Sequence, residues 1–303
     1  MENDEYKSVE NNEYKSVENN GDEFYSNAVH YWSEIPATLD GMLGGFGFIS
    51  QTDIKGSKML LKQLFNSKDH PGRDYALDCG AGIGRISKFL LTDVFEKVDM
   101  VEQNEAFLEQ AEKYLGPKFS KIGHFYPQGL QNFQPEEGKY DVIWIQWVLG
   151  HLTNKDLVNF LSSCRCGLKK NGVIIVKENI TSSDSIEKDE QDSSVTRPLR
   201  HYHIIFQKAK LHCYRQVKQH NFPKGLFPVY MFVLKPKEDI TNSCSETNLI
   251  LENDGVCENI EPNSEKNITS DLEKKIELTR VDDVEAPEEN SVKDLLKTEC
   301  IST

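Results

Sequence analysis

The fold is decided by the stretch Leu77-Asp78-Cys79-Gly80-Ala81-Gly82-Ile83-Gly84-Arg85. The short apolar run over residues 75–79 reads as a strand, and from Arg85 onward apolar residues return every three or four positions, as in a helix. The glycines between them allow a tight turn and a close approach of the backbone to a ligand, and the following helix N-terminus offers unpaired N–H groups. The stretch therefore predicts a strand, a ligand-binding turn and a helix.

The same alternation continues on both sides of this turn. Short apolar runs predict strands over residues 75–79, 98–102, 140–146, 172–178 and 229–234, and helical spacing predicts helices over 58–65, 85–91, 105–114 and 154–168. Alternating strands and helices predict an α/β fold, in which helices cover both faces of a mostly parallel sheet. Ligands of such sheets bind beyond the carboxyl ends of the strands.

The spacing of the turn favours S-adenosylmethionine over a dinucleotide. A dinucleotide fold uses G-x-G-x-x-G to approach a pyrophosphate, whereas here the glycines are Gly80, Gly82 and Gly84. Glu102 ends the next predicted strand, where a carboxylate can accept hydrogen bonds from ribose hydroxyls. Asp78 can approach the ammonium group of the cofactor, directly or through water, and a guanidinium at the helix start can pair with its carboxylate. The plain alternative is a glycine turn in a non-binding α/β protein.

Charge divides the chain into three parts. Of the formal net charge of −14, residues 1–23 carry −6, residues 237–303 carry −11 and residues 24–236 carry +3. We therefore predict a disordered acidic arm over 1–23, which holds an octapeptide written twice, one folded domain over 24–236 and a disordered acidic tail over 237–303. The acidic ends disfavour nucleic acid as a partner.

Composition narrows the remaining classes. No apolar stretch reaches the roughly 18 residues of a membrane span, and the first residues lack the basic and apolar segments of a secretory signal, so an intracellular location is expected. Seven cysteines without a CxxC pair argue against a disulfide framework and against a zinc site, so no metal is expected.

Six stretches in order give the chain a specific resemblance. They are Tyr31-Trp32, Gly41-Met42-Leu43-Gly44-Gly45, the turn at 77–85, Val98-Asp99-Met100-Val101-Glu102, the segment 143–152 and Asp192-Ser193-Ser194. Over residues 24–235 the chain resembles the eukaryotic protein N-terminal methyltransferases, which methylate the α-amino group of proteins that begin X-Pro-Lys after methionine removal. The resemblance implies a class I (Rossmann-like) methyltransferase fold with a seven-stranded sheet and an N-terminal helical lid. It also implies a location in the nucleus and cytoplasm. The oligomeric state is not fixed by the sequence, and a monomer is expected.

The resemblance assigns six residues to S-adenosylmethionine. Gly80 and Arg85 would hold the methionine part, Glu102 the ribose, Leu130 and Gln131 the adenine, and Gln146 the neighbourhood of the transferred methyl. The family usually has Asp at the position of Glu102. Both side chains can accept from two hydroxyls, so we expect only a modest adjustment of the ribose.

The resemblance assigns ten further residues to the peptide. The candidate catalytic residues are Asp192 and His151, which would accept the proton of the amine, and the candidate substrate-binding residues are Trp32, Leu43, Ile49, Trp147, Asn179, Asp189, Ser194 and Leu226. Trp147 would pack on the substrate proline, and Asp189 and Ser194 would receive a third-residue Lys or Arg. Without the resemblance, a lone Trp is more often core, and the loop 189–194 reads as a solvated connection with Ser194 capping the next helix.

Two rival functions remain open from the sequence. One is a methyltransferase that acts on a lysine or a small-molecule amine, and the other is an adaptor that binds N-termini without turnover.

The chain departs from the family pattern at Phe227, where the family commonly has a tyrosine. No hydroxyl can therefore donate a hydrogen bond there.

Overall fold

The structure is a computed structural model that describes residues 21–237. The octapeptide repeat and residues 238–303 of the predicted tail lie outside the described residues. Among the described residues the first helix is α1 (Gly21–Glu34), and its first three residues fall inside the arm predicted over 1–23. Asp22 and Glu23 occupy its first turn, where acidic side chains complement the helix dipole.

Nine strands occur in residues 21–237, and seven of them form the main sheet. Their bounds are β1 Tyr75–Cys79, β2 Lys97–Val101, β3 Ile122–Tyr126, β4 Tyr140–Gln146, β5 Leu168–Thr181, β6 Glu187–Asp189, β7 Ser194–Pro198, β8 Leu211–Lys218 and β9 Val229–Pro236. The main sheet has the order β3-β2-β1-β4-β5-β9-β8, with β9 antiparallel to both neighbours and the other pairs parallel. This confirms the predicted mostly parallel α/β sheet.

The remaining strands form a hairpin at the end of β5. Strand β7 pairs with the last residues of β5, Ile180 and Thr181, and β6 pairs antiparallel with β7. Ser194 begins β7 in this hairpin, so the alternative in which it caps the next helix is wrong. That helix begins after Pro198, and no side chain caps it.

Helices cover both faces of the sheet. Their bounds are α1 Gly21–Glu34, α2 Leu39–Met42, α3 Ser50–Phe65, α4 Arg85–Phe89, α5 Glu105–Leu115, α6 Asn154–Gly167 and α7 Leu199–Lys208. Alternate residues of β4 enter two different cores, Ile143 one and Trp144 the other, as the two-residue period of a strand requires. The first core includes apolar residues of α6 and α7, and the second includes those of α3 and α4.

The carboxyl ends of β1, β2, β4 and β5 meet at one edge of the sheet. The glycine turn, Glu102, Trp147 and the hairpin follow these ends. The segment from Gly21 to Ile49 is here called the lid. Within residues 21–237 no helix is long and apolar enough to cross a membrane, and the same residues contain no cluster of potential metal ligands.

Candidate active site

The turn after β1 requires glycine for two reasons. Gly80, Gly82 and Gly84 have φ angles of 66°, 54° and 83°, in the left-handed region that favours glycine. A Cβ atom at Gly80 would lie 2.6 Å from Cγ2 of Val148, and one at Gly82 would lie 2.6 Å from Sδ of Met42. The turn therefore keeps its backbone in close contact with the loop after β4 and with the lid.

Asp78 supports the helix behind this turn. Its Oδ2 accepts hydrogen bonds from the Ser87 N–H at 3.0 Å and from the Ser87 hydroxyl at 2.7 Å. The carboxyl is buried, and burial raises its pKa to about 6. This carboxylate bonds to the start of α4 and lines neither of the two cavities beside the turn, so its predicted contact with the ammonium group of a cofactor, directly or through water, stays a prediction.

Two adjoining cavities of about 50 and 110 Å³ lie beside the glycine turn, and Gly80, Glu102, Val148 and His151 line both. All six predicted cofactor residues are brought together here. The smaller cavity is also lined by Leu130 and Gln131, and the larger by Arg85 and Gln146. A close-packed glycine backbone, a guanidinium, a carboxylate and an apolar wall fit the donors, acceptors and rings of S-adenosylmethionine.

Glu102 holds the turn while keeping acceptor capacity. Its Oε2 accepts from the Gly82 N–H and its Oε1 from the Asn104 N–H, both at 2.9 Å. Burial raises its pKa above the ordinary value, and these two backbone N–H groups oppose the rise. Because each carboxylate oxygen has a further lone pair, both oxygens remain able to accept from ribose hydroxyls.

A buried ionic network lies beneath the larger cavity, and Asp53 is its centre. The Asp53 carboxylate binds Lys177 Nζ at 2.6 Å and Arg85 Nη1 at 2.7 Å, and it accepts from Gln146 Nε2 at 2.9 Å. Burial raises the pKa of Asp53, but the Lys177 and Arg85 charges outweigh it and hold the pKa below the ordinary value. Burial lowers the pKa of Lys177. Asp53 thus orients two of the predicted cofactor residues.

A larger cleft of about 440 Å³, which shares walls with these cavities, holds nearly all the predicted peptide residues. It is lined by Trp32, Leu43, Ile49, Trp147, His151, Asn179, Asp192, Ser194 and Leu226, and also by Tyr31, Phe46 and Phe227. The residue left out is Asp189, whose exposed side chain on β6 accepts from the Gln191 N–H at 2.8 Å. Its charge still acts nearby, because burial, Asp192 and Asp189 together raise the pKa of Tyr31.

Trp147 has a strained backbone where the cleft meets the larger cofactor cavity. Its φ is 54°, an uncommon value for a side chain of this size, and its N–H donates to the Lys177 carbonyl at 3.1 Å. The indole packs 6.4 Å from the Phe222 ring and 5.4 Å from Cζ of Arg85. Its Nε1 is buried without a hydrogen-bond partner among the described residues. In this backbone conformation the indole lines both the cleft and the larger cofactor cavity.

His151 and Asp192 lie side by side in the cleft. His151 Nε2 accepts from Trp32 Nε1–H at 3.1 Å, and the same Nε2 lies 4.0 Å from Asp192 Oδ2. Burial lowers the pKa of His151, although the Asp192 charge opposes this, so the imidazole is held neutral. The other carboxylate oxygen, Oδ1 of Asp192, is buried without a hydrogen-bond partner in the described part of the chain.

The loop that carries Trp147 and His151 is clamped by two buried charges that the sequence did not indicate. Glu178 Oε1 accepts from the N–H groups of Val148 and Leu149, each at 2.8 Å. Arg197 donates to the carbonyls of Leu149 and Leu152 at 2.8 and 2.6 Å. Burial raises the pKa of Glu178 to about 7. Neither strand marks these charges in the sequence, because β5 and β7 both contain other polar residues.

Comparison with known proteins agrees with this geometry. A family model described as AdoMet dependent proline di-methyltransferase matches residues 20–235. The chain is 49% identical over 217 residues to alpha N-terminal protein methyltransferase 1 of Drosophila melanogaster, covering 71% of this chain and 77% of that protein. It is 46% identical over 215 residues to N-terminal Xaa-Pro-Lys N-methyltransferase 1 of Xenopus tropicalis, covering 70% and 96%. A SAM-dependent methyltransferase structure from Leishmania major superposes with a TM-score of 0.66 at 37% identity, covering 70% of this chain and 83% of that one.

Proposed function

The chain belongs to the AdoMet-dependent proline di-methyltransferase family, and from that membership we propose that it methylates the α-amino group of proteins that begin X-Pro-Lys or X-Pro-Arg once the initiator methionine is removed. It is an enzyme that depends on S-adenosylmethionine and methylates protein N-termini. The observation that carries transfer to an α-amine is the buried, unpartnered Oδ1 of Asp192 beside a neutral His151 among the described residues.

The cleft and the cofactor cavities share the walls where the reaction would occur. Trp32 and Trp147 line both the cleft and the larger cofactor cavity, and His151 lines all three cavities. When bound, S-adenosylmethionine supplies an electrophilic methyl group on a sulfonium. The side chains of the shared wall hold the amine close to that group and exclude water, which favours in-line transfer.

An α-amine needs only a weak base. Its ordinary pKa of about 7.7 to 8.0 leaves an appreciable neutral fraction at neutral pH, unlike that of a lysine side chain at about 10.4. Asp192 Oδ1 is free to accept a hydrogen bond from the ammonium form and then its proton. The lone pair of His151 Nε2 already accepts from Trp32, so that nitrogen takes a proton only when this hydrogen bond opens. We therefore assign Asp192 as the first acceptor and His151 as its neighbour in the proton path.

The cleft has the chemistry for the next two substrate residues. The partly exposed Trp147 indole offers a flat apolar face to proline, with Leu226 on the cleft wall. Ser194 and, beyond the cleft, Asp189 offer a hydroxyl and a carboxylate to a lysine or arginine at the third position. Phe227 lines the cleft without a hydroxyl, so the peptide loses a donor at that point.

The proposal extends to the cellular setting. The monomer is proposed without support from the family, whereas the location in the nucleus and cytoplasm follows from the family resemblance. The small charge of +3 over residues 24–236 supports protein substrates over direct nucleic-acid binding, because it offers no strongly basic face.

Mass spectrometry tests the function directly. The full chain is incubated with S-adenosylmethionine and a Ser-Pro-Lys peptide, beside the same peptide acetylated at its α-amine. We expect added mass in methyl steps on the free peptide alone. Gain on both peptides would assign the methyl to lysine, and gain on neither, with intact peptide binding, would favour an adaptor; each result would overturn the proposal.

A further inference from the structure

Exposed apolar side chains concentrate around the lid. Within residues 21–237 seven large apolar side chains are exposed, and two of them, Phe46 and Phe227, line the peptide cleft. Three more, Phe48, Met59 and Phe89, line a second depression of about 700 Å³ to which both the lid and α3 contribute. Phe48 is 70% exposed. Such clustering is typical of a binding surface, since scattered single apolar residues are the norm elsewhere.

This depression, here called the α3 groove, is lined by Leu39, Gly47, Phe48, Ser50, Gln51, Ile54, Lys55, Lys58, Met59, Lys62, Phe89 and Asp93. Lys55, Lys58, Met59 and Lys62 recur at intervals of three and four residues, so they share one face of α3. The face is therefore apolar at its centre and basic along its length.

The basic charge of the groove is only partly neutralised within residues 21–237. Its one carboxylate, Asp93, already pairs with Lys58 at 3.1 Å and with Lys118 at 2.5 Å. Lys55 and Lys62 are exposed, and neither has an ion-pair partner in the described part of the chain. A ligand that carries carboxylates would supply the missing counter-charges.

The α3 groove adjoins the peptide cleft through the lid. Phe46 lines the cleft, Phe48 lines the groove, and the centroids of their rings are 6.1 Å apart. A polypeptide that leaves the cleft over Phe46 therefore reaches the groove within a few residues, because an extended chain advances by about 3.3 Å per residue.

We propose that the α3 groove is a second recognition site for substrate proteins and binds a downstream segment with acidic and apolar side chains. The site lies on the same polypeptide path as the cleft, so the inference rests on the proposed N-terminal methylation. Binding there raises the local concentration of the N-terminus at the cleft without touching the reacting amine. It would select substrates by a feature beyond their first three residues.

Three peptides that all begin Ser-Pro-Lys test the proposal with the full chain. The first is a hexapeptide, the second continues with a neutral Gly-Ser segment, and the third continues with a segment of the same length rich in Glu and Leu. The variant is Lys55→Glu with Lys62→Glu. The matched control, Lys113→Glu with Lys155→Glu, changes the same charge at exposed lysines that line neither the groove nor the cleft.

We expect the acidic peptide to have a KM about fivefold below that of the neutral one, a factor within reach of two exposed ion pairs and an apolar contact. The groove variant should lose this advantage, while the control keeps it and all three proteins turn over the hexapeptide equally. Equal KM values for the two long peptides, or an equal loss in variant and control, would overturn the proposal and leave the groove to another occupant such as a second copy.

A direct measurement separates this proposal from the proposed function. The Glu- and Leu-rich segment, without Ser-Pro-Lys and with a fluorescent label, is titrated with each protein and followed by anisotropy. We expect saturable binding that weakens with salt and is lost in the groove variant. Absence of binding to the unaltered protein would overturn the groove even if methylation is confirmed, whereas binding without any methylation would count against the proposed function alone.

Discussion

Replacing the buried carboxylate of Asp53 should strongly lower the free energy of unfolding of the domain. The side chain of Asp53 is fully buried, and so is that of Lys177, its partner at 2.6 Å. Asp53→Asn keeps the size of the side chain but leaves the Lys177 and Arg85 charges without a counter-ion. Removing one partner from a buried ion pair costs about 3–5 kcal/mol. For a domain of this size the loss corresponds to a Tm about 6 to 20 °C lower.

Asp93 is a matched control for this substitution. It also pairs with two lysines, Lys58 and Lys118, but its side chain is 41% exposed. Exposed pairs contribute about 0–1 kcal/mol, so Asp93→Asn should lower the Tm by less than about 4 °C. Thermal unfolding at low salt measures both variants. If Asp53→Asn were no more destabilising than Asp93→Asn, the network would not be a stabilising element and the reasoning would be refuted.

The pH dependence of the stability of Asp53→Asn should show that Lys177 carries the charge left without a counter-ion. Without the Asp53 charge, the pKa of Lys177 in the folded state falls further below its unfolded value of about 10.4, since burial and the Arg85 charge then lower it unopposed. The unfolded state then binds more protons, so the variant should gain stability relative to the unaltered protein as pH rises toward 10. Adding Lys177→Met to the Asp53 variant should restore about 1 kcal/mol or more, because it removes one uncompensated cation. A double variant less stable than the single one would contradict this account.

Four further substitutions test the site. Asp192→Asn should remove most turnover while cofactor affinity, measured by calorimetry, stays nearly unchanged; equal turnover would refute the assignment. Gly80→Trp should abolish cofactor binding in the same calorimetric assay, because even a Cβ atom meets a neighbouring side chain at 2.6 Å. Trp32→Phe removes the hydrogen bond that Trp32 donates to Nε2 of His151, so the pKa of that imidazole should rise. The acid limb of the pH–kcat profile should then shift to higher pH, and an unshifted limb would count against the hydrogen bond. The unaltered protein should lose stability as pH rises from about 4.5 to about 7, the interval between the unfolded and folded pKa values of the Glu178 carboxyl, and Glu178→Gln should abolish this loss. If the prediction fails, the free energies of unfolding in urea of the two proteins will depend on pH in the same way.

Local pattern was sufficient for the elements that surround the cofactor turn. Strands β1 and β4 have the predicted bounds, because each is a short apolar run closed by polar or glycine residues. Helix α3 instead begins at Ser50, eight residues before its predicted start at 58. Its first two turns bury Ser50, Asp53 and Ser57, and polar residues on a buried face conceal the helical period.

The contacts that organise the site could not be predicted, because they join distant parts of the chain. Asp53 and Lys177 are separated by 124 residues, and Trp32 and His151 by 119. Neither pair has a local pattern, since an isolated Asp on a helix reads as a solvated residue until its partner is known. The family resemblance supplied the cleft residues but gave no indication of Asp53, Glu178 or Arg197, whose roles depend on burial.

The left-handed backbone at Trp147 sets stability against recognition. A residue other than glycine in that region costs about 1–3 kcal/mol, and glycine would relieve it. Glycine there would also remove the indole that faces the cleft. Directed evolution for heat resistance without an activity screen would thus favour glycine at this position and give a more heat-stable but less selective enzyme.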